Sequence, residues 1–107
     1  VTWEDVRKLA KTFPQVEDGT SYGTAALKAK KKLFVRLKEE GDVIVLPMPF
    51  KQREALMAED PDKYFITDHY LNYEYVLVRL PKVTESDLRD LLAVAYRTVS
   101  AKRAGRP

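Results

Sequence analysis

The chain has 107 residues, an apolar fraction of 45%, no cysteine and a net charge of +3. That length suits one domain, able to bury about 65% of its extended surface without cross-links. Disulfide frameworks and thiolate metal centres are excluded, and the longest mainly apolar run, Val43–Phe50, is interrupted by prolines and too short to span a bilayer.

The charge is segregated. Residues 28–38 carry six basic groups and no acid, whereas residues 39–74 carry nine acids against three basic groups. Such separation can steer an anionic partner to one face, and equally fits two solvated faces that attract each other. With no cysteine and no apolar leader at the start of these residues, a reducing cytoplasm is the expected setting.

The first helix is expected to begin after Thr2, whose hydroxyl can cap the amide of Asp5, with Glu4 and Asp5 favourably placed in the first turn. Trp3, Val6, Leu9, Ala10 and Phe13 recur at helical spacing, and Pro14 ends the pattern. Glu17–Gly23 reads as a loop or irregular strand whose glycines permit a tight bend. It is not a phosphate loop, because no Gly-Lys-Ser/Thr ending follows.

Ala25–Lys38 reads as a β-hairpin with Lys30-Lys31 near its tip. Strict alternation groups Leu33, Val35 and Leu37 on one face and Phe34, Arg36 and Lys38 on the other. The tip lacks the Asn-Gly expected of a tight turn, which leaves the register open. Val43–Leu46 follows as a short strand. Pro49 can open a helix over Phe50–Ala58, with Ala55, Leu56 and Met57 inward.

Pro61–Leu80 holds Tyr64, Tyr70, Tyr73, Tyr75 and the only histidine, His69. It reads as strands Tyr64–Thr67 and Tyr75–Leu80 joined by a polar aromatic loop. In the second strand Val76, Val78 and Leu80 alternate with Tyr75, Leu77 and Arg79, so both sides are apolar, as in a central strand. Thr84 caps a final helix with a stripe of Leu88, Leu91, Leu92, Ala95 and Val99. The expected fold is α+β: an antiparallel sheet of about five strands covered by three helices, in the order α-β-β-β-α-β-β-α. One domain spans 1–101, and 102–107 form a basic tail expected to be disordered.

The order and spacing of Phe13-Pro14, Gly19-Thr20-Ser21-Tyr22-Gly23, Lys32-Leu33-Phe34, Asp60-Pro61, His69-Tyr70 and Tyr75-Val76-Leu77-Val78-Arg79-Leu80 resemble those of the MmcQ/YjbR family of small bacterial proteins. The resemblance covers nearly the whole chain. It implies a compact fold likened to frataxin-type proteins, and a DNA-binding role through a "double-wing" sheet. Two departures stand out. Lys30-Lys31 replace a glycine-bearing turn, and Tyr75 stands where a Pro-Trp pair is common.

Two function classes follow. In the first, DNA phosphates are contacted by Lys28, Lys30, Lys31, Lys32, Arg36 and Lys38 on the ribbon, assisted by Arg79, because a β-ribbon can enter a major groove or follow a backbone. The competing reading is an edge guarded by lysines against aggregation. In the second, a cleft near Tyr22, His69, Tyr70 and Tyr73 binds a protein or small ligand. Tyrosines beside cations can stack on bases, and they also commonly sit half-buried with the hydroxyl in water. A lone histidine excludes a multi-histidine metal site. It can do acid–base work only with a partner that no motif supplies, and a hydrogen bond to a carbonyl or tyrosine hydroxyl is its expected role. No catalysis, metal or cofactor is expected, and a monomer is favoured over an oligomer.

Overall fold

The computed structural model of the protein describes the backbone of residues 1–104 and the side chains of residues 1–100. Helix α1 (Trp3–Ala10) opens with the expected cap. The Asp5 amide donates to the Thr2 hydroxyl at 3.3 Å, and the Thr2 amide donates to the Asp5 carboxylate at 2.9 Å. Strands β1 (Val16–Ser21), β2 (Thr24–Ala29), β3 (Lys32–Leu37) and β4 (Val43–Pro47) come next. Helix α2 (Phe50–Glu59), strands β5 (Tyr64–Phe65) and β6 (Tyr75–Arg79), and helix α3 (Glu85–Ala104) complete the order.

The sheet therefore has six strands rather than about five, ordered β1-β2-β3-β4-β6-β5, with every neighbouring pair antiparallel. The added strand is β1, which lies in the stretch expected to be loop or irregular strand. It is an edge strand with solvent along one side, so its sequence, Val-Glu-Asp-Gly-Thr-Ser, lacks the apolar run that marks interior strands. Strand β6 is interior, as its two apolar faces required.

Two hairpins meet in two-residue turns. Tyr22-Gly23 joins the Ser21–Thr24 pair with φ of 54° and 80°, and Lys30-Lys31 joins the Ala29–Lys32 pair with φ of 54° and 70°. Both turns are left-handed at both central positions, the geometry that matches strand twist. Gly23 adopts it without strain, whereas the two lysines carry a side-chain penalty.

The face assignment within β3 is corrected by a β-bulge. Leu27 pairs with Val35 but Lys28 pairs with Leu33, which leaves Phe34 without a partner. The extra residue breaks alternation. Phe34 joins Val35 and Leu37 toward the helices, and Leu33 moves to the face of Arg36. Phe34 is fully buried and meets Phe13 and Tyr96 edge-on, at 5.9 and 5.6 Å between ring centres.

Helix α3 crosses β3 and β4, with α1 beside it, and α2 packs against β5 and β6. The main core lies between these helices and the sheet. Leu27, Phe34, Ile44, Leu46, Val76 and Val78 meet Val6, Ala10, Leu88, Leu92 and Ala95 there. In α2, Leu56 and Met57 pack inward as expected, but Ala55 is exposed and the buried residue is Arg53. Helix α3 runs to Ala104 and so overlaps the start of the stretch expected to form a basic tail. The rest of that expectation, at 105–107, lies outside the described residues.

Candidate functional site

The sheet face turned away from α1 and α3 carries a smaller apolar cluster of Val43, Val45 and Leu77, flanked by Phe65, Tyr70 and Tyr75. Over it lies the segment from the 3-10 turn Asp68–Tyr70 to the start of β6. Tyr22 reaches the same region from the β1–β2 turn. A cleft of about 340 Å³ opens between them, lined by Tyr22, Leu33, Arg36, Val45, His69, Tyr70, Tyr73 and Tyr75. All four residues expected to line a ligand cleft are thus brought together, though they come from two distant parts of the chain.

Arg36 is only 5% exposed. Its Nε donates to the Ser21 carbonyl at 3.4 Å, one terminal nitrogen donates to the Tyr70 hydroxyl at 3.3 Å, and the other reaches Glu39 at 3.4 Å. The Tyr22 ring centre lies 5.1 Å from the guanidinium carbon, within cation–π range. Tyr70 and Tyr75 are half-buried with ring centres 5.9 Å apart. Burial raises both hydroxyls above the ordinary tyrosine pKa, partly opposed at Tyr70 by the charge of Arg36. Tyr73 is exposed. His69 is also exposed and stands edge-on to Tyr70 at 4.7 Å. Among the described residues it makes this ring contact, with no hydrogen bond of the kind expected for it.

Sequence reasoning missed Arg53, which holds this region in place. One terminal nitrogen donates to the carbonyls of Tyr70, Tyr73 and Tyr75 at 3.0, 2.7 and 3.2 Å, and the other donates to Leu71 at 3.1 Å. Its Nε lies 3.6 Å from the Glu54 carboxylate, an ion-pair distance beyond hydrogen-bond reach. Glu74 accepts from the Phe50 amide at 3.2 Å and so ties the segment to the start of α2. An arginine inside a short helix with a weak apolar face was the available signal.

The basic residues proposed for phosphate contact are divided between the two sides of the sheet, with Lys28, Arg36 and Arg79 on the open face and Lys30 on the helix side. Arg36 is buried beneath the cleft. Arg79 lies over the Phe65 ring at 4.0 Å and donates to the Asp62 carbonyl at 3.0 Å. Lys28 faces Glu17 directly across the β1–β2 ladder, and its stem runs over the space beside Gly19. Lys30 turns to the helix layer, 5.6 Å from the Tyr96 ring centre. Lys38 lines a hollow adjoining the cleft with Arg36 and Glu39. Lys31 and Lys32 remain exposed at the hairpin end. Among the described residues, no three histidine or acidic side chains are grouped to hold a metal ion, and no helix is long and apolar enough to cross a membrane.

A six-stranded antiparallel sheet with helices over one face and an arginine-floored aromatic cleft on the other defines an α+β domain. The chain belongs to the YjbR family, whose model matches residues 11–98. Its relatives include the uncharacterized proteins Mb2600 of Mycobacterium bovis and Rv2570 of Mycobacterium tuberculosis. Each is 26% identical, over 95% of this chain and 91% of its own length. The crystal structure of Deinococcus radiodurans protein DR2400, with domain DUF419, superimposes with a TM-score of 0.83 at 20% identity. The match covers 95% of this chain and 80% of that one, and it establishes the fold.

Proposed function

We propose that the protein is a binding module that holds a small organic ligand in the cleft on its open sheet face and does not transform it. The observation that carries this reading is the convergence of Tyr22, His69, Tyr70 and Tyr73 around the buried Arg36. An apolar concavity with a few directed polar groups is the usual form of a ligand site, and this volume lies at the small end of the range. Its floor is rigid sheet, and its wall is fixed by Arg53, so the site is preformed. No nucleophile is paired with a base there, which favours binding over catalysis. The test is a thermal-shift screen of small organic compounds with the intact chain and with Tyr70→Ala. A ligand of the cleft raises the melting temperature by mass action, and Tyr70→Ala abolishes that rise. A rise that survives the substitution places the ligand elsewhere and defeats the reading.

A second reading, DNA binding by the hairpin, is supported by one feature. Lys30 and Lys31 occupy a strained turn that Asn-Gly would adopt more cheaply, and strain of this kind gathers at working sites. Titration of labelled DNA at two salt concentrations tests it. Binding that weakens steeply with salt and disappears in Lys31→Ala/Lys32→Ala supports it. Absence of binding at low salt removes it.

A further inference from the structure

Resting on the cleft reading above, we propose that the ligand is an aromatic monocarboxylate whose carboxylate takes the edge of Arg36 now held by Glu39. A guanidinium has five N–H donors in a flat fork. Arg36 is buried, yet its three hydrogen bonds are 3.3–3.4 Å long. Charge-assisted bonds to a carboxylate normally close to about 2.7–2.9 Å. Only one of the three acceptors is charged, and Glu39 reaches Arg36 by a single oxygen from a side chain that is 64% exposed. A buried cation served this poorly gains from an acceptor that can engage two donors at once.

The rest of the hollow selects the remainder of the ligand. In the hollow that adjoins the aromatic cleft and shares Tyr22, Arg36, His69 and Tyr70 with it, Lys38 and Glu39 stand beside Arg36, two cations against one carboxylate, a balance of one positive charge that a monoanion neutralises. A dianionic phosphate would leave a surplus negative charge beside Glu39. Tyr22, Tyr70, Tyr73 and Tyr75 form the walls, and rings of this kind favour a flat unsaturated body in offset or edge-on contact. Because Tyr22 already covers one face of the guanidinium, the ligand's carboxylate must approach along the edge, in the plane of the fork, where Glu39 sits.

Glu39 is therefore a competitor for Arg36, and this is the testable point. Benzoate, cinnamate and indole-3-acetate are titrated calorimetrically against the intact chain and against Glu39→Gln, with the matching amides and phenyl phosphate as comparisons. The carboxylates are expected to bind, their amides to bind at least about tenfold more weakly, and Glu39→Gln to tighten the carboxylates about tenfold. Arg36→Lys, which keeps the charge but loses the fork, is expected to erase the preference for carboxylate over amide. Equal binding of acids and amides, or unchanged or weaker binding in Glu39→Gln, overturns the carboxylate assignment while leaving a neutral-ligand cleft intact. Preference for phenyl phosphate overturns it in favour of a phosphate ligand. If none of these compounds binds and other compounds give a Tyr70-dependent shift, only the carboxylate assignment falls. If no compound of any class does so, the cleft reading falls with it.

Discussion

Arg53 donates to the backbone carbonyl of Tyr73 at 2.7 Å, the shortest of four bonds by which one side chain of α2 gathers the aromatic segment. Three further carbonyls, at Tyr70, Leu71 and Tyr75, accept from the same guanidinium. The path of residues 70–75 is thus set by a buried cation together with local bonds, the Tyr73 amide donating to the Tyr70 carbonyl at 3.1 Å and the Tyr75 amide to the Tyr73 carbonyl at 2.8 Å.

Arg53→Ala removes four bonds from a buried guanidinium at once; the carbonyls of Leu71 and Tyr75 lose the partner it supplies, while those of Tyr70 and Tyr73 keep the amides of Tyr73 and Tyr75. The expected loss is about 3 kcal/mol or more, a fall of about 12 °C or more in melting temperature for a domain of this size. Arg53→Lys keeps the charge, cannot reach four acceptors, and is expected to fall between. Thermal denaturation followed by circular dichroism measures both.

Stability is expected to fall on both sides of neutrality. Asp18 is held well below the usual carboxylate range by hydrogen bonds from Arg7 at 2.9 and 3.0 Å and from Lys11. Asp87 is lowered by the Thr84 amide and by Lys63, and Asp5 by the Thr2 amide. Their contributions are complete above the unfolded carboxylate value of about 3.9 and vanish as pH drops through the folded values. On the alkaline side, burial raises Tyr64, Tyr70 and Tyr75, and Asp87 raises Lys63. Those contributions are complete below pH of about 10 and disappear as the folded values are passed. Urea midpoints across pH should show both limbs, and Asp18→Asn should flatten the acid one.

The Lys30-Lys31 turn offers a stabilising change. Asn and Gly adopt left-handed backbone more readily, so Lys30→Asn/Lys31→Gly should add about 1–2 kcal/mol. Chemical denaturation tests the gain. No stabilisation would mean that the Lys30 contact with Tyr96 outweighs the backbone relief.

Phe34 should be the most costly ring to remove. It is fully enclosed and meets both Phe13 and Tyr96, which stack on each other at 4.9 Å. Phe34→Ala is expected to cost about 3–5 kcal/mol, whereas Leu33→Ala on the open face should cost clearly less. The same denaturation series gives the comparison.

Much of the fold was legible because local chemistry and global packing agree. The Thr2 and Thr84 caps, the apolar stripes of α1 and α3, and the two-sided β6 were all readable from periodicity. What escaped has physical causes. β1 is an edge strand with little apolar content, and the bulge at Phe34 inverts a face by one unpaired residue, which no alternation rule can register. For the cleft, the aromatic members were visible as an unusual cluster. The role of Arg36 was not, since a cation flanked by lysines reads as surface until its neighbours from 34 residues away enclose it. Arg53 is the same error in a helix.

The outermost strand has an uneven attachment. One side of β1 is laddered to β2, and besides the packing of Val16 its hold on the helical layer is ionic, through Asp18 to Arg7 and Lys11. Its far end carries Tyr22, which overhangs Arg36. Added electrolyte weakens exposed ion pairs but not apolar packing, so amide exchange along residues 16–21 should quicken with ionic strength before any other strand responds. The lip of the cleft hangs from the part of the sheet that salt can loosen, so on the proposed reading even an uncharged compound should bind there more weakly as ionic strength rises.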